Sequence, residues 1–312
     1  MTELHPQMSA ILAKIEQDLA GKPKLHEMSP AEARQLSEDF APFWNEGAPE
    51  LDTKDRSIPG PIGPIPIRLY DPGTPAPSPC LLFIHGGGWV TGGVRIYDGI
   101  CRRLARYSGF KVVSLDYRLA PEHKFPVPLE DCLAALRWLA DHGGEIGVDG
   151  ARLAIGGDSA GGNLSLAVAM GSRGGGSPLR AAALVYGAYD VDFDTPSYRA
   201  YGKDAYFLSR ADMIWFWEHY LRGEADRLDP RAVPLHGNLE GLPPLLVTGA
   251  EFDPLLDDSR RLVKRLAAIG AKHEWMLWPG VVHGCLVMAR LLEPAEGFLR
   301  EVASSVAGRL RS

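Results

Sequence analysis

Four groups in this sequence have the residue types that acyl transfer requires. The first is Gly157-Asp158-Ser159-Ala160-Gly161, a G-x-S-x-G pattern. It follows the apolar run Arg152-Leu153-Ala154-Ile155-Gly156 and precedes a small-residue stretch at 160–170. These read as a strand and a helix. A serine at such a strand-to-helix turn stands at the apex, beside a helix N-terminus that favours negative charge. The competing account is a glycine-rich turn with a capping serine, and the flanking elements favour the nucleophile. The second group is His85-Gly86-Gly87-Gly88-Trp89. Consecutive glycines let a backbone approach a reacting carbonyl and point N–H donors at the oxyanion that develops there. A phosphate cradle would use similar glycines, but no G-x-G-x-x-G exists, since positions 91 and 179 are Thr and Leu, and no G-x-x-x-x-G-K-[ST] exists either. The third and fourth are Asp253, in Ala250-Glu251-Phe252-Asp253-Pro254, and His283, in Gly280-Val281-Val282-His283-Gly284. A serine needs a base and the base needs an orienting acid, here in the chain order Ser, Asp, His. Glu251 competes with Asp253, and spacing alone does not choose between them. His273 competes with His283, but it precedes its strand and so falls at the opposite sheet end.

These residues need a scaffold that brings strand ends together. Short apolar runs at 80–84, 111–115, 152–156, 181–186, 245–248 and 274–277 read as buried strands. Helical patterns lie between them at 95–107, 129–140, 160–170 and 257–268, and a last one follows at 293–309. This alternation predicts an α/β protein with a mostly parallel sheet covered by helices on both faces. Residues 5–45 read as amphipathic helices, with Ser29-Pro30-Ala31-Glu32 starting the second one. The proline-dense stretch at 57–80 predicts edge strands and loops. Between the strands at 181–186 and 245–248 the chain is far longer than a crossover needs. It carries Tyr201, Tyr206, Phe207, Trp215, Phe216 and Trp217, which predicts a small helical insertion. Residues 171–177 read as a surface loop.

Composition narrows the function further. The 312 residues include 35 glycines and 25 prolines, scattered without a period, which excludes collagen and disfavours a plain helical bundle. The net charge is −6, and the basic residues come in pairs rather than stripes, so neither nucleic acid nor an anionic membrane surface is an expected partner. Cys80, Cys101, Cys132 and Cys285 form no C-x-x-C pair and read as reduced core residues. No apolar leader opens the chain and no run approaches the ~18 apolar residues of a membrane span, so a cytoplasmic location is expected. The nine histidines form no tight pair, and no metal or cofactor is expected.

Five segments together resemble the hormone-sensitive-lipase-like family of α/β-hydrolases, which includes bacterial carboxylesterases. They are His85–Trp89, Asp116-Tyr117-Arg118-Leu119-Ala120-Pro121-Glu122, Gly157–Gly162, Asp253-Pro254-Leu255 and His283-Gly284. They occur in the family's order over about residues 55–312. Cys285 departs from the pattern, where an aromatic residue is common. The resemblance implies an α/β-hydrolase core of residues 51–188 and 240–312, with a helical cap built from 1–50 and 189–239. It implies Ser159 as nucleophile, His283 as base, Asp253 as orienting acid, and N–H donors from Gly87, Gly88 and Ala160 in an oxyanion hole. The activity implied is hydrolysis of short- to medium-chain acyl esters without a cofactor, by a chain that could pair as a homodimer. Amide or lactone hydrolysis would use the same residues. A non-catalytic receptor of related sequence would lack the histidine that His283 supplies. Met213 and Trp217 are four residues apart and share a helix face. By analogy that face overlooks the acyl pocket, with core packing as the competing account; Trp89 and Phe207 are further pocket candidates. Tyr117–Glu122 and Asp131 read as structural, and Asp158 as structural or pocket-lining rather than catalytic.

Overall fold

The computed structural model describes residues 3–173 and 177–311 and alternates strands with helices. Helices α1 (Pro6–Asp18) and α2 (Pro30–Asn45) precede strands β1 (Asp52–Ile58), β2 (Ile65–Asp71) and β3 (Ser78–Ile84). Next come α3 (Asp98–Ser108), β4 (Lys111–Leu115), α4 (Val127–His142), β5 (Val148–Asp158), α5 (Ala160–Gly171) and β6 (Leu179–Val185). Helices α6 (Pro196–Tyr201) and α7 (Arg210–Tyr220) then interrupt the rhythm before β7 (Leu245–Phe252), α8 (Leu256–Ala268), β8 (His273–Val282) and α9 (Glu293–Arg311). The expected loop at 171–177 falls partly on 174–176, outside the described residues.

The eight strands form one sheet in the order β1-β2-β4-β3-β5-β6-β7-β8. The β1/β2 and β2/β4 pairs are antiparallel; every later pair is parallel. Alternation along each strand feeds two cores. Cys80, Leu82 and Ile84 enter one with α4, α5 and α8, whereas Leu81 and Phe83 enter the other with α1, α3 and α9. Because β3 and β5 through β8 run parallel, the loops carrying His85, Ser159, Asp253 and His283 all emerge at one edge of the sheet. That is where such sheets place their ligands.

Three details differ from the expectation. β1 has an almost wholly exposed, polar sequence, so it carries no apolar alternation and is held by its ladder to β2. β2 is not an edge strand; it lies between β1 and β4, and it tolerates Pro66 because its register with β4 begins only at Ile67. β8 runs on through Pro279-Gly280, which is allowed because it is the sheet edge and its ladder to β7 shifts register between Ala250 and Phe252.

The N-terminal segment divides its contacts. α1 buries Met8 and Ile11 in the α9-side core, and His5 N–H donates to Gly280 O at 2.8 Å. Ser29 and Glu32 form a capping box that starts α2. Between these helices, Lys24 pairs with Asp204, and His26 Nδ1 lies 2.8 Å from Asp212 Oδ1 at the start of α7. All four cysteines are buried and free. Among the described residues, no helix is long and apolar enough to cross a membrane.

Candidate active site

Ser159 sits between β5 and α5 with φ 54° and ψ −119°, a conformation that a non-glycine residue rarely adopts. The turn is imposed by its surroundings. Ser159 N–H donates to Val185 O on β6, and Ser159 O accepts from Asn163 N–H inside α5 and from Ala188 N–H. The close approach of α5 to β3 demands glycine at 161, where a Cβ would lie 2.0 Å from Ile84 O. The hydroxyl makes no capping bond to α5. Instead, Ser159 Oγ lies 2.9 Å from His283 Nε2, and His283 Nδ1 lies 2.8 Å from Asp253 Oδ2. Leu255 N–H donates to the other Asp253 oxygen at 2.7 Å, which fixes the carboxylate as an acceptor. The network therefore assigns the ring proton to Nδ1 and leaves Nε2 to accept from the serine.

The competition that spacing left open, Glu251 against Asp253, is resolved by position, and His273 lies where the sequence placed it. Glu251 accepts from Gly280 N–H at 2.8 Å and ties β7 to β8. His273 opens β8 at the far sheet end and turns to Ala271 O. Cys285, two residues beyond His283, is no rival nucleophile, because burial holds its thiol well above the ordinary value and hence protonated.

Gly87 and Gly88 lie in the turn after β3. Among the described residues, neither N–H group has a hydrogen-bond partner. Ala160 is the first residue of α5, where N–H groups have no intrahelical acceptor. The three donors named from the resemblance are thus backbone N–H groups left uncommitted by the fold. At Gly88, φ is 59° and a Cβ would stand 2.1 Å from the Phe216 ring, so both backbone shape and space require glycine.

The four pocket candidates separate. Trp89, with φ 61°, stacks on Tyr220 at 4.3 Å and leans on Trp217 at 4.4 Å. Met213 shares the same buried cluster, so these three are almost wholly enclosed. Phe207 is 42% exposed and its ring lies against Gly284, beside His283. The sequence reading takes Phe216, against Gly88, only as part of the helical insertion and not as a site residue, although it lies three residues from Met213 and the same helix-face argument reaches it. Nor does that reading single out Tyr186, whose ring centre is 4.8 Å from that of His283.

The residues read as structural hold loops. Tyr117 OH donates to His85 O at 3.0 Å, and Arg118 pairs with Asp131. Asp158 accepts from Gly86 N–H at 3.0 Å and from Tyr97 OH at 3.1 Å, which clamps the glycine loop to the serine turn. Burial pushes its carboxyl up to about 6 from 3.8. A raised folded-state value means that the neutral form is favoured in the fold. Stability is therefore lost as pH rises from the ordinary value through about 6, and the penalty is complete above it. Asp158→Asn keeps an acceptor for Gly86 and cannot ionise. Relative to wild type it is expected to gain on the order of 2–3 kcal/mol more at about pH 7 than at about pH 4 in denaturant titrations. Equal shifts at both pH values would disprove this account of the buried carboxyl.

Fold and site together define an α/β-hydrolase with a hydrogen-bonded Ser159–His283–Asp253 array at the carboxyl edge of its sheet. The profile of the α/β-hydrolase fold family matches residues 81–287. The chain belongs to the hormone-sensitive-lipase-like family of α/β-hydrolases. It is 38% identical to the carboxylic ester hydrolase LipN of Mycobacterium tuberculosis, over 83% of this chain and 71% of that one. It is 34% identical to an acetyl esterase of Salmonella dublin, over 86% and 84% of the two chains. A hyperthermophilic esterase from Pyrobaculum calidifontis superposes with a TM-score of 0.94 at 35% identity, covering 98% of each chain. An ester hydrolase from the Lake Arreo metagenome, in complex with a bipyridine phosphonate derivative, superposes with a TM-score of 0.93 at 35% identity, covering 99% of this chain and 100% of that one.

Proposed function

We propose that this protein is a serine carboxylesterase that hydrolyses short- to medium-chain acyl esters. The observation that carries the reading is the single histidine bridging Ser159 Oγ at 2.9 Å and Asp253 Oδ2 at 2.8 Å. Ser159 Oγ attacks the ester carbonyl carbon as His283 Nε2 takes the hydroxyl proton. The carbonyl oxygen becomes an oxyanion facing the N–H groups of Gly87, Gly88 and Ala160. The tetrahedral centre collapses, the C–O bond to the alcohol breaks, and His283 returns the proton to the departing oxygen. Water then attacks the acyl-enzyme, again giving a proton to His283. Collapse releases the carboxylic acid and restores the Ser159 hydroxyl. Asp253 holds the ring tautomer and stabilises the imidazolium at each passage.

Chain-length preference follows from the roof over the glycine loop. Large rings of Trp89, Trp217, Tyr220 and Phe216 crowd that side. With that side of the loop filled by packed rings, acyl groups of about two to six carbons are the substrates this reading favours. A p-nitrophenyl ester series tests this together with covalent labelling by a fluorophosphonate probe. Rates that peak at acetate to hexanoate, with labelling confined to Ser159, are expected. A peak at dodecanoate or longer would overturn the chain-length reading. An unlabelled protein, or one that cleaves anilides but not esters, would overturn the esterase reading.

A further inference from the structure

A glycine-rich loop is floppy by itself, and the N–H groups of Gly87 and Gly88 can aid catalysis only if something external fixes them. Packing does not do so on every side. A cavity of about 370 Å³ borders the loop, lined among others by Arg34, His85, Gly92, Gly93 and Tyr117. Across it reaches one side chain from far away in sequence. Arg34, on α2, donates through Nε to Val90 O at 2.8 Å and through Nη2 to Ala120 O at 2.7 Å. The same guanidinium pairs with both Glu122 carboxylate oxygens, at 2.9 and 2.6 Å. Val90 closes the turn that begins at Gly87, since its N–H donates to Gly87 O at 3.1 Å, and Ala120 N–H donates to Trp89 O at 2.9 Å. One planar fork thus spans the glycine loop and the 116–122 loop, a geometry that an ammonium cannot reproduce. At its far end α2 repeats the arrangement. The Asn45 side chain accepts from Gly99 N–H and donates to Arg95 O.

We propose that Arg34 is a positioning residue for the oxyanion loop, holding the Gly87–Val90 turn so that its N–H groups meet the developing charge. This rests on the esterase reading above. A loop held less firmly still admits ester, so the loss falls on the transition state rather than on substrate binding.

The test measures kcat and KM for p-nitrophenyl acetate in wild type, Arg34→Met and Arg34→Lys, normalised to the fraction that a fluorophosphonate labels and set beside melting temperatures. Both variants are expected to lose about tenfold to a hundredfold in kcat with KM nearly unchanged. In a further variant, Arg34→Ala, measured in the same assay, millimolar guanidinium, far below denaturing levels, is expected to recover part of the kcat, whereas equal sodium chloride does not. Wild-type kcat per labelled site in Arg34→Lys would overturn the proposal even if Arg34→Met fails to fold. A loss that appears only in KM would also overturn it. A wild-type protein without ester hydrolysis or labelling would sink the esterase reading instead.

Discussion

Ser159→Ala is expected to lower kcat/KM for a short-chain ester by about 10⁵-fold or more and to abolish fluorophosphonate labelling. The size follows from the arrangement. His283 Nε2 has one hydroxyl at 2.9 Å, and Cys285, the one other nucleophilic side chain close by in sequence, is buried and held protonated. Without Oγ there is no acyl-enzyme, and what remains is whatever the backbone donors contribute to direct attack by water. The same residue also separates chemistry from stability. Its backbone, at φ 54° and ψ −119°, stores on the order of 1–3 kcal/mol that a glycine would not pay. Ser159→Gly is therefore expected to be as inactive as Ser159→Ala, yet more stable by about 1 kcal/mol in denaturant titration. An active Ser159→Ala would refute the mechanism. A Ser159→Gly less stable than Ser159→Ala would refute the strain at the turn while leaving the mechanism standing.

Asp253→Asn is expected to cost about 10³- to 10⁴-fold in kcat with the fold intact. Leu255 N–H already occupies one Asp253 oxygen at 2.7 Å, so an asparagine would keep its carbonyl there and turn its NH₂ toward His283. That donor demands an unprotonated Nδ1, which places the proton on Nε2, where it faces the serine and cannot take its hydrogen. Glu251→Gln is the control. Its amide oxygen can still accept from Gly280 N–H, and kcat should stay within a few-fold of wild type. Stopped-assay kinetics with the ester that wild type cleaves best, alongside circular dichroism, would decide the pair. The assignment fails if Glu251→Gln is the crippled variant.

Much of this architecture was legible in the chain. The strands at 80–84, 111–115 and 245–248 announce themselves because two buried faces demand nearly continuous apolar runs. Where a strand lies at the sheet edge, that demand lapses. β1 is polar and β8 contains Pro279, and neither extent could be read from hydropathy. The serine turn was readable for a different reason. Gly157 and Gly161 press so closely on β3 that a Cβ at either would lie 2.3 and 2.0 Å from Ile84 O, so the glycines of the turn are spelled out in the sequence.

The sequence alone determined the alternation of strands and helices, the glycine loop, the serine turn and the chain order of Ser159, Asp253 and His283. Each is a local demand, met by residues within a few positions of one another. Tertiary structure decided whatever depends on which distant side chain arrives. Asp253 rather than Glu251 meets His283, because the β7–β8 register turns one carboxylate to the ring and the other to Gly280. Phe216 covers Gly88 because of how α7 packs across the loop after β3. Arg34 reaches Val90 across 56 positions, and no spacing rule connects them. Hydrogen bonds and ring contacts act over a few ångströms in space, and the chain's order says little about which far-apart residues folding will bring within that reach.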